Sequence, residues 1–167
     1  MKTTKIMIAL VAIATAMVSC GFGKSATTSS TPATGTAQQT TAAAVQMGKN
    51  AGSSLDMLTA QYKTDGKLDM SNLSNIANML NLAAASQQLY ANKSNSDYRK
   101  GFVNGMILNS INIDELNATT VTEALDELAE QTNIDALQEA AQKGEATAEE
   151  VKKTADSVTQ IIEIFKK

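Results

Sequence analysis

The sequence predicts an all-α protein, a single-domain bundle of five or six helices. Three observations carry that reading. From Val45 onward, large apolar residues recur at steps of three and four, the spacing that lines one face of an α-helix. No stretch alternates apolar and polar residues with β-branched enrichment, so no sheet is expected. The only proline of the 167-residue chain is Pro32, which leaves residues 38–167 free of the strongest helix breaker.

The elements follow in order. A long first helix carries Val45, Gly48, Ala51, Leu55, Leu58 and Tyr62 on one face and ends where Asp65-Gly66 breaks the pattern. The second repeats the spacing with Leu73, Ile76, Leu80, Ala83, Gln87 and Tyr90, and Met79, Leu82 and Leu89 widen its stripe. Tyr98, Phe102, Gly105 and Met106 mark a third, shorter helix, with Ser96 as the expected N-cap. Thr120-Val-Thr-Glu123 reads as a capping box that opens a helix burying Val121, Leu125 and Leu128. A short helix comes next, with Ile134, Leu137 and Ala141 inward and Gly144 in a C-terminal cap position. Thr147-Ala-Glu-Glu150 is a second capping box, and the last helix is expected to bury Val151, Ala155, Val158, Ile162 and Phe165.

Ahead of the helices the chain changes character. Lys2 and Lys5 precede an uncharged apolar run, Ile6 to Val18, that ends in Ser19-Cys20-Gly21. That is the layout of a secretory signal, with a basic n-region, an apolar h-region and small residues at the cut. A spanning helix needs about 20 apolar residues, so the run is too short to stay in the bilayer. Met17-Val18-Ser19-Cys20 resembles the lipobox of bacterial lipoproteins. The resemblance implies that residues 1–19 are a cleaved signal peptide and that Cys20 becomes an acylated N-terminus. Each acyl methylene buried in a membrane contributes about 0.8 kcal/mol, so two or three chains anchor almost permanently. Cys20 is also the only cysteine, so no internal disulfide is expected.

Residues 20–37 are rich in Ser, Thr and Gly and read as a lipid-anchored tether. A flexible segment of that length spans roughly 20–25 Å. Residues 38–167 form the helical domain, long enough for one core.

Charge narrows the partners. The chain holds 17 acidic and 14 basic residues, a net −3, which becomes −5 once Lys2 and Lys5 leave with the signal. Residues 111–150 carry eleven acidic side chains against Lys143 alone. Such a segment repels nucleic acid and anionic membrane surfaces, so no nucleic-acid partner is expected; a set of solvated helix faces is the plainer account of it.

Catalysis lacks its usual parts. The chain has no His and no Trp, and no thiol once Cys20 is acylated, which removes the commonest bases, nucleophiles and soft metal ligands. The carboxylate pairs Asp114-Glu115 and Glu149-Glu150 are adjacent in sequence, so on a helix they point about 100° apart. No catalytic residue, metal site or cofactor is expected. Gly23-Lys24-Ser25 is similar to the end of a phosphate-binding loop, but the first glycine of that motif would fall at Val18. Asn117-Ala118-Thr119 matches an N-glycosylation acceptor, which has little weight behind a bacterial signal. Asp65-Gly66-Lys67-Leu68-Asp69 resembles the middle of an EF-hand loop, yet the alignment puts Gln61, Lys63 and Asn72 at ligand positions, and an ammonium opposes calcium. A helical hairpin closed by Asp-Gly is expected instead.

Three other features stand out. Asn72, Asn75, Asn78 and Asn81 recur every third residue, so they spread over about half the circumference of a helix and some reach the core edge. They serve either as hydrogen-bonding groups between helices or as a polar seam that recognises a partner's backbone. Gly48-xxx-Gly52 and Gly101-xxx-Gly105 each make a flat strip where another backbone can come close, so the first and third helices are expected to cross there. Helix breaks or an open groove for an apolar ligand are the alternatives. Asp156-Ser157-Val158 resembles the three-residue O-glycosylation signal of some Gram-negative envelope proteins, which makes Ser157 a candidate modification site.

The sequence thus leads to the expectation of a lipid-anchored, non-enzymatic envelope protein that meets the membrane through its N-terminal lipid. Its helical domain is expected to bind an envelope protein partner or to pack against an envelope assembly as a structural module. A carrier holding a small apolar ligand between helices is the alternative, to be told apart by an enclosed pocket of roughly 300 Å³ or more. Gly21 is not the aspartate that retains enteric lipoproteins in the inner membrane, and no acidic cluster follows Cys20. In a Gram-negative cell this implies an outer-membrane lipoprotein facing the periplasm.

Overall fold

Six helices pack against one another, α1 Thr34–Asp65, α2 Leu73–Ala91, α3 Ser96–Asn109, α4 Ala118–Gln131, α5 Ile134–Lys143 and α6 Glu149–Glu163, with no strand among the described residues. The all-α bundle that the periodicity predicts is the fold. The computed structural model describes residues 34–144 and 148–164, with side chains from Thr41 onward. The signal segment, Cys20, the tether up to residue 33, the Thr147 end of the second capping box and Phe165 lie outside them. Helix α1 starts at Thr34, four residues ahead of the boundary drawn from composition, and its 32 residues run about 48 Å.

Asparagine starts three of the helices. Asn72, Asn95 and Asn133 each hold extended backbone while the side-chain oxygen accepts an otherwise unpaired N–H of the first turn, from Ser74, Tyr98 and Ala136 respectively. The α3 cap is therefore Asn95 and not Ser96. The Thr120 box does not form either. The Ala118 N–H already donates to the Asp114 carbonyl (2.9 Å), so the N-cap position of α4 falls at Asn117, ahead of Thr120, which sits within the first turn. Gly144 closes α5 in the left-handed region at φ +68°, where the absence of a Cβ removes the steric penalty.

Between α1 and α2, Gly66 also takes φ +68° and lets the chain reverse. Asp69 then braces the turn. Its carboxylate accepts from the Ser71 hydroxyl (2.7 Å) and N–H (2.9 Å), and these two donors hold its pKa below the usual aspartate value.

The helices reverse direction in turn. Residues 57–64 of α1 lie beside 72–75 of α2, and residues 47–57 beside 78–84, an antiparallel pair. Helix α3 returns parallel to α1, with Thr41 and Ala44 beside Gly101 and Gly52 beside Met106. Helices α4, α5 and α6 cover the remaining side of α2. The core they share includes Leu55, Leu58, Met79, Leu82, Phe102, Met106, Leu125 and Ile162, each fully buried. Each large apolar side chain buried this way contributes about 1.5–3 kcal/mol.

Several inward assignments need correction. Leu73 is 67% exposed, because it is the first residue of α2 and the stripe reaches the core only from Ile76. In α5 the buried alanine is Ala140, with Ala141 half-buried. Val45, Leu80, Gln87, Tyr90 and Ile134 sit at the half-buried edge.

Among the described residues, one buried side-chain polar atom is unpaired. The Thr132 hydroxyl, between α4 and α5, has no hydrogen-bond partner, although the residue is only 7% exposed. A buried donor without an acceptor costs about 1–3 kcal/mol. Thr132 already holds extended backbone, φ −98° and ψ 123°, which suits a β-branched residue. Thr132→Val should therefore raise stability by about 1 kcal/mol, read by chemical denaturation. A loss of stability would show that the hydroxyl is satisfied.

Candidate functional site

The two glycine pairs face each other where α1 and α3 meet. A Cβ at Gly48 would stand 1.9 Å from the Phe102 carbonyl oxygen, and one at Gly105 would stand 2.1 Å from that of Val45. Gly52 and Gly101 are looser, with nearest neighbours at 3.1 Å in both cases. The backbones touch there. This contact sets the register of α3 along α1 and so decides where the loop after α3 emerges.

That loop, residues 110–117, is held by polar groups on all sides. Asp56 of α1 accepts from the Ser110 hydroxyl (2.6 Å), the Ile111 N–H (2.8 Å) and the Asn112 side-chain amide (2.8 Å). The Ser110 oxygen in turn accepts the N–H groups of Asn112 and Ile113 (3.1 and 3.2 Å). Asp114 Oδ1 accepts from the Leu116 and Asn117 N–H groups, and the Asn117 amide reaches back to the Asn112 carbonyl (2.8 Å). Ile113 is buried and ties the loop to the core. On this fixed backbone Ile111 is 93% exposed and Leu116 91%, with Leu108 at the end of α3 71% exposed. Single exposed aliphatics are ordinary, but three within nine residues, two of them on a pinned loop, form an apolar feature of the kind that marks contact sites. Periodicity does not reveal this site, since its key residue, Asp56, lies more than fifty positions away.

Two clefts lie elsewhere on the bundle. One, about 400 Å³, runs between α1 and α2 along Met47, Asn50, Ser54, Met57, Asn78 and Asn81, and continues past Gln61, Asn72 and Asn75. The other, about 450 Å³, lies between α3 and α4 beside Arg99, Val103 and Thr122. There Arg99 grips Asp126 with two nitrogens at 2.8 and 3.2 Å. Both clefts open to solvent.

The asparagine series divides its labour. Asn72 caps α2, and the buried Asn75 amide donates to the Asp69 carbonyl (2.8 Å). Asn78 and Asn81 line the α1–α2 cleft. Ser157 lies half-buried on α6, its hydroxyl between Gln131 Oε1 and the Lys153 carbonyl, both at 3.2 Å. Among the described residues, no group of three or more acidic, His or Cys side chains is arranged to hold a metal, and no helix is long and apolar enough to cross a membrane.

No family model, no curated protein and no solved structure matches this chain.

Proposed function

We propose that the protein is a lipid-anchored, non-enzymatic envelope module that docks a protein partner through residues 108–117. The observation that carries this reading is the exposure of Ile111 and Leu116 on a backbone already ordered by Asp56. Fixing a free residue costs about 1–2 kcal/mol, so a pre-ordered loop keeps more of its apolar burial as affinity. Position along α1 favours a protein over the anchoring membrane. Asp56 lies 22 residues beyond Thr34, about 33 Å along the helix from the end that leads to Cys20. The carrier alternative draws no support from the two clefts, which are open and partly polar.

The test places a photo-reactive residue at exposed Glu115, between the two aliphatics, in the full chain expressed in intact cells. One discrete protein adduct is expected, lost in Ile111→Ser/Leu116→Ser and retained when the photo-residue's neighbours are native. Cys20→Ser should release the protein from membranes. An equal adduct in the double variant overturns the docking loop, and undiminished membrane fractionation of Cys20→Ser overturns the anchor.

A further inference from the structure

We infer that the partner docked at residues 108–117 is basic: its contact face joins an apolar socket for Ile111 and Leu116 to a row of Lys or Arg side chains laid along α4. The inference rests on the docking reading and names the chemistry of the occupant.

The exposed aliphatics continue into a line of charge. Leu116, Thr120, Glu123, Glu127 and Glu130 recur at steps of four and three, and all five are exposed. The Ala118 N–H bond to the Asp114 carbonyl makes the turn before α4 helical, so Leu116 heads the same line. From Leu116 to Glu130 the line runs about 21 Å. One ridge therefore passes from an apolar group to three carboxylates.

Helix electrostatics oppose this placement. Glu123 and Glu127 stand four apart and Glu130 three further on, spacings at which like charges on a helix repel. The helix dipole favours carboxylates in the first turn and cations in the last. Helix α4 has no acidic residue in its first turn and no basic one in its last, where Glu130 sits. The counter-charges inside the molecule go elsewhere. Arg99 grips Asp126, Lys143 pairs with Glu139, and Glu150 accepts the Asn133 N–H (2.8 Å). Lys93 donates to the Tyr90 hydroxyl (3.1 Å), and Lys100 lies on the opposite wall of the α3–α4 cleft from Glu123. Among the described residues, neither lysine forms an ion pair with the row.

A partner's cations would relieve both the repulsion and the dipole. The same charge repels nucleic acid and anionic membranes. A metal fits poorly, since among the described residues no group of three or more carboxylates is arranged to hold one. Cations that face this row must recur about every 5 Å, one helical turn, which a basic helix beside α4 provides.

The test keeps the photo-reactive residue at Glu115 in the full chain in intact cells and adds Glu123→Gln/Glu127→Gln/Glu130→Gln, which retains shape and removes charge. The adduct formed with native α4 should fall at least about fivefold, because complementary charge speeds encounter. Glu123→Asp/Glu127→Asp/Glu130→Asp should keep most of it. In permeabilised cells, raising NaCl from about 0.05 to about 0.5 M should weaken the native adduct by a similar factor and leave the residual adduct of the Gln variant nearly unchanged. The Gln variant should melt at or above the parent. A native-level adduct in the Gln variant, or a native adduct insensitive to salt, overturns the basic partner and leaves the docking loop standing. A Gln variant that melts below the parent shows that the row serves the fold, and overturns it as well. No adduct with native α4 overturns the docking loop and the basic partner together.

Discussion

Gly48→Ala and Gly105→Ala should each lower the melting temperature by about 10 °C or more, a loss of at least about 3 kcal/mol. The added methyl would stand about 2 Å from a backbone carbonyl oxygen of the opposing helix in both cases, at Phe102 and at Val45. A flexible side chain can swing away from such a clash, but a helix backbone moves only as a unit, so α1 and α3 must separate. Replacing a helical glycine by alanine gains about 1 kcal/mol of propensity, which this clash exceeds. Gly52→Ala and Gly101→Ala are the internal controls. Their nearest neighbours lie at 3.1 Å, and a shift of a few tenths of an ångström relieves them, so they should stay within about 1 kcal/mol of the parent. Circular dichroism melts of the four variants decide the matter. Parental melting of Gly105→Ala would remove the close crossing.

Asp56→Ala should cost about 2–3 kcal/mol and release the 110–117 loop. Three donors lose their acceptor at once, and all three belong to the loop that presents Ile111. Hydrogen bonds to a charged group contribute about 1.5–3 kcal/mol each, although a surface loop recovers part of that by turning to water. Hydrogen exchange separates this from general unfolding. The Ile111 amide should exchange faster in the variant, while amides in the middle of α2 keep their protection. Unchanged protection at Ile111 would show that the loop is ordered by its own Asp114 and Asn117 turn. Since the docking proposal relies on pre-order, the Glu115 adduct should weaken in the same variant.

The helices were legible in the sequence because their apolar spacing is a local property. Leu55, Leu58, Met79, Leu82, Leu125 and Val158 fall inward at the positions that a 3.6-residue repeat assigns them. Helix starts were harder to read, since adjacent polar residues compete to cap. Asn95 takes the place of Ser96, and the Asp114–Asn117 turn starts α4 before Thr120 can cap it. The exposed loop aliphatics were not legible at all, because nothing in the run from Leu108 to Leu116 says whether a later helix will cover it.

By itself the sequence determined an all-α chain, the approximate extent of its helices and the residues of its apolar stripes, since each depends on contacts within a few positions. Its first 20 residues set the expectation of a lipid anchor by the same local means. The tertiary structure alone decided which glycine of each pair admits no methyl, where Asp56 meets the loop, and that Ser54 and Asn78 line one cleft. Those facts depend on backbones brought together from 50 or more residues apart for the loop and more than 20 for the cleft, and helix register across such distances is settled by packing.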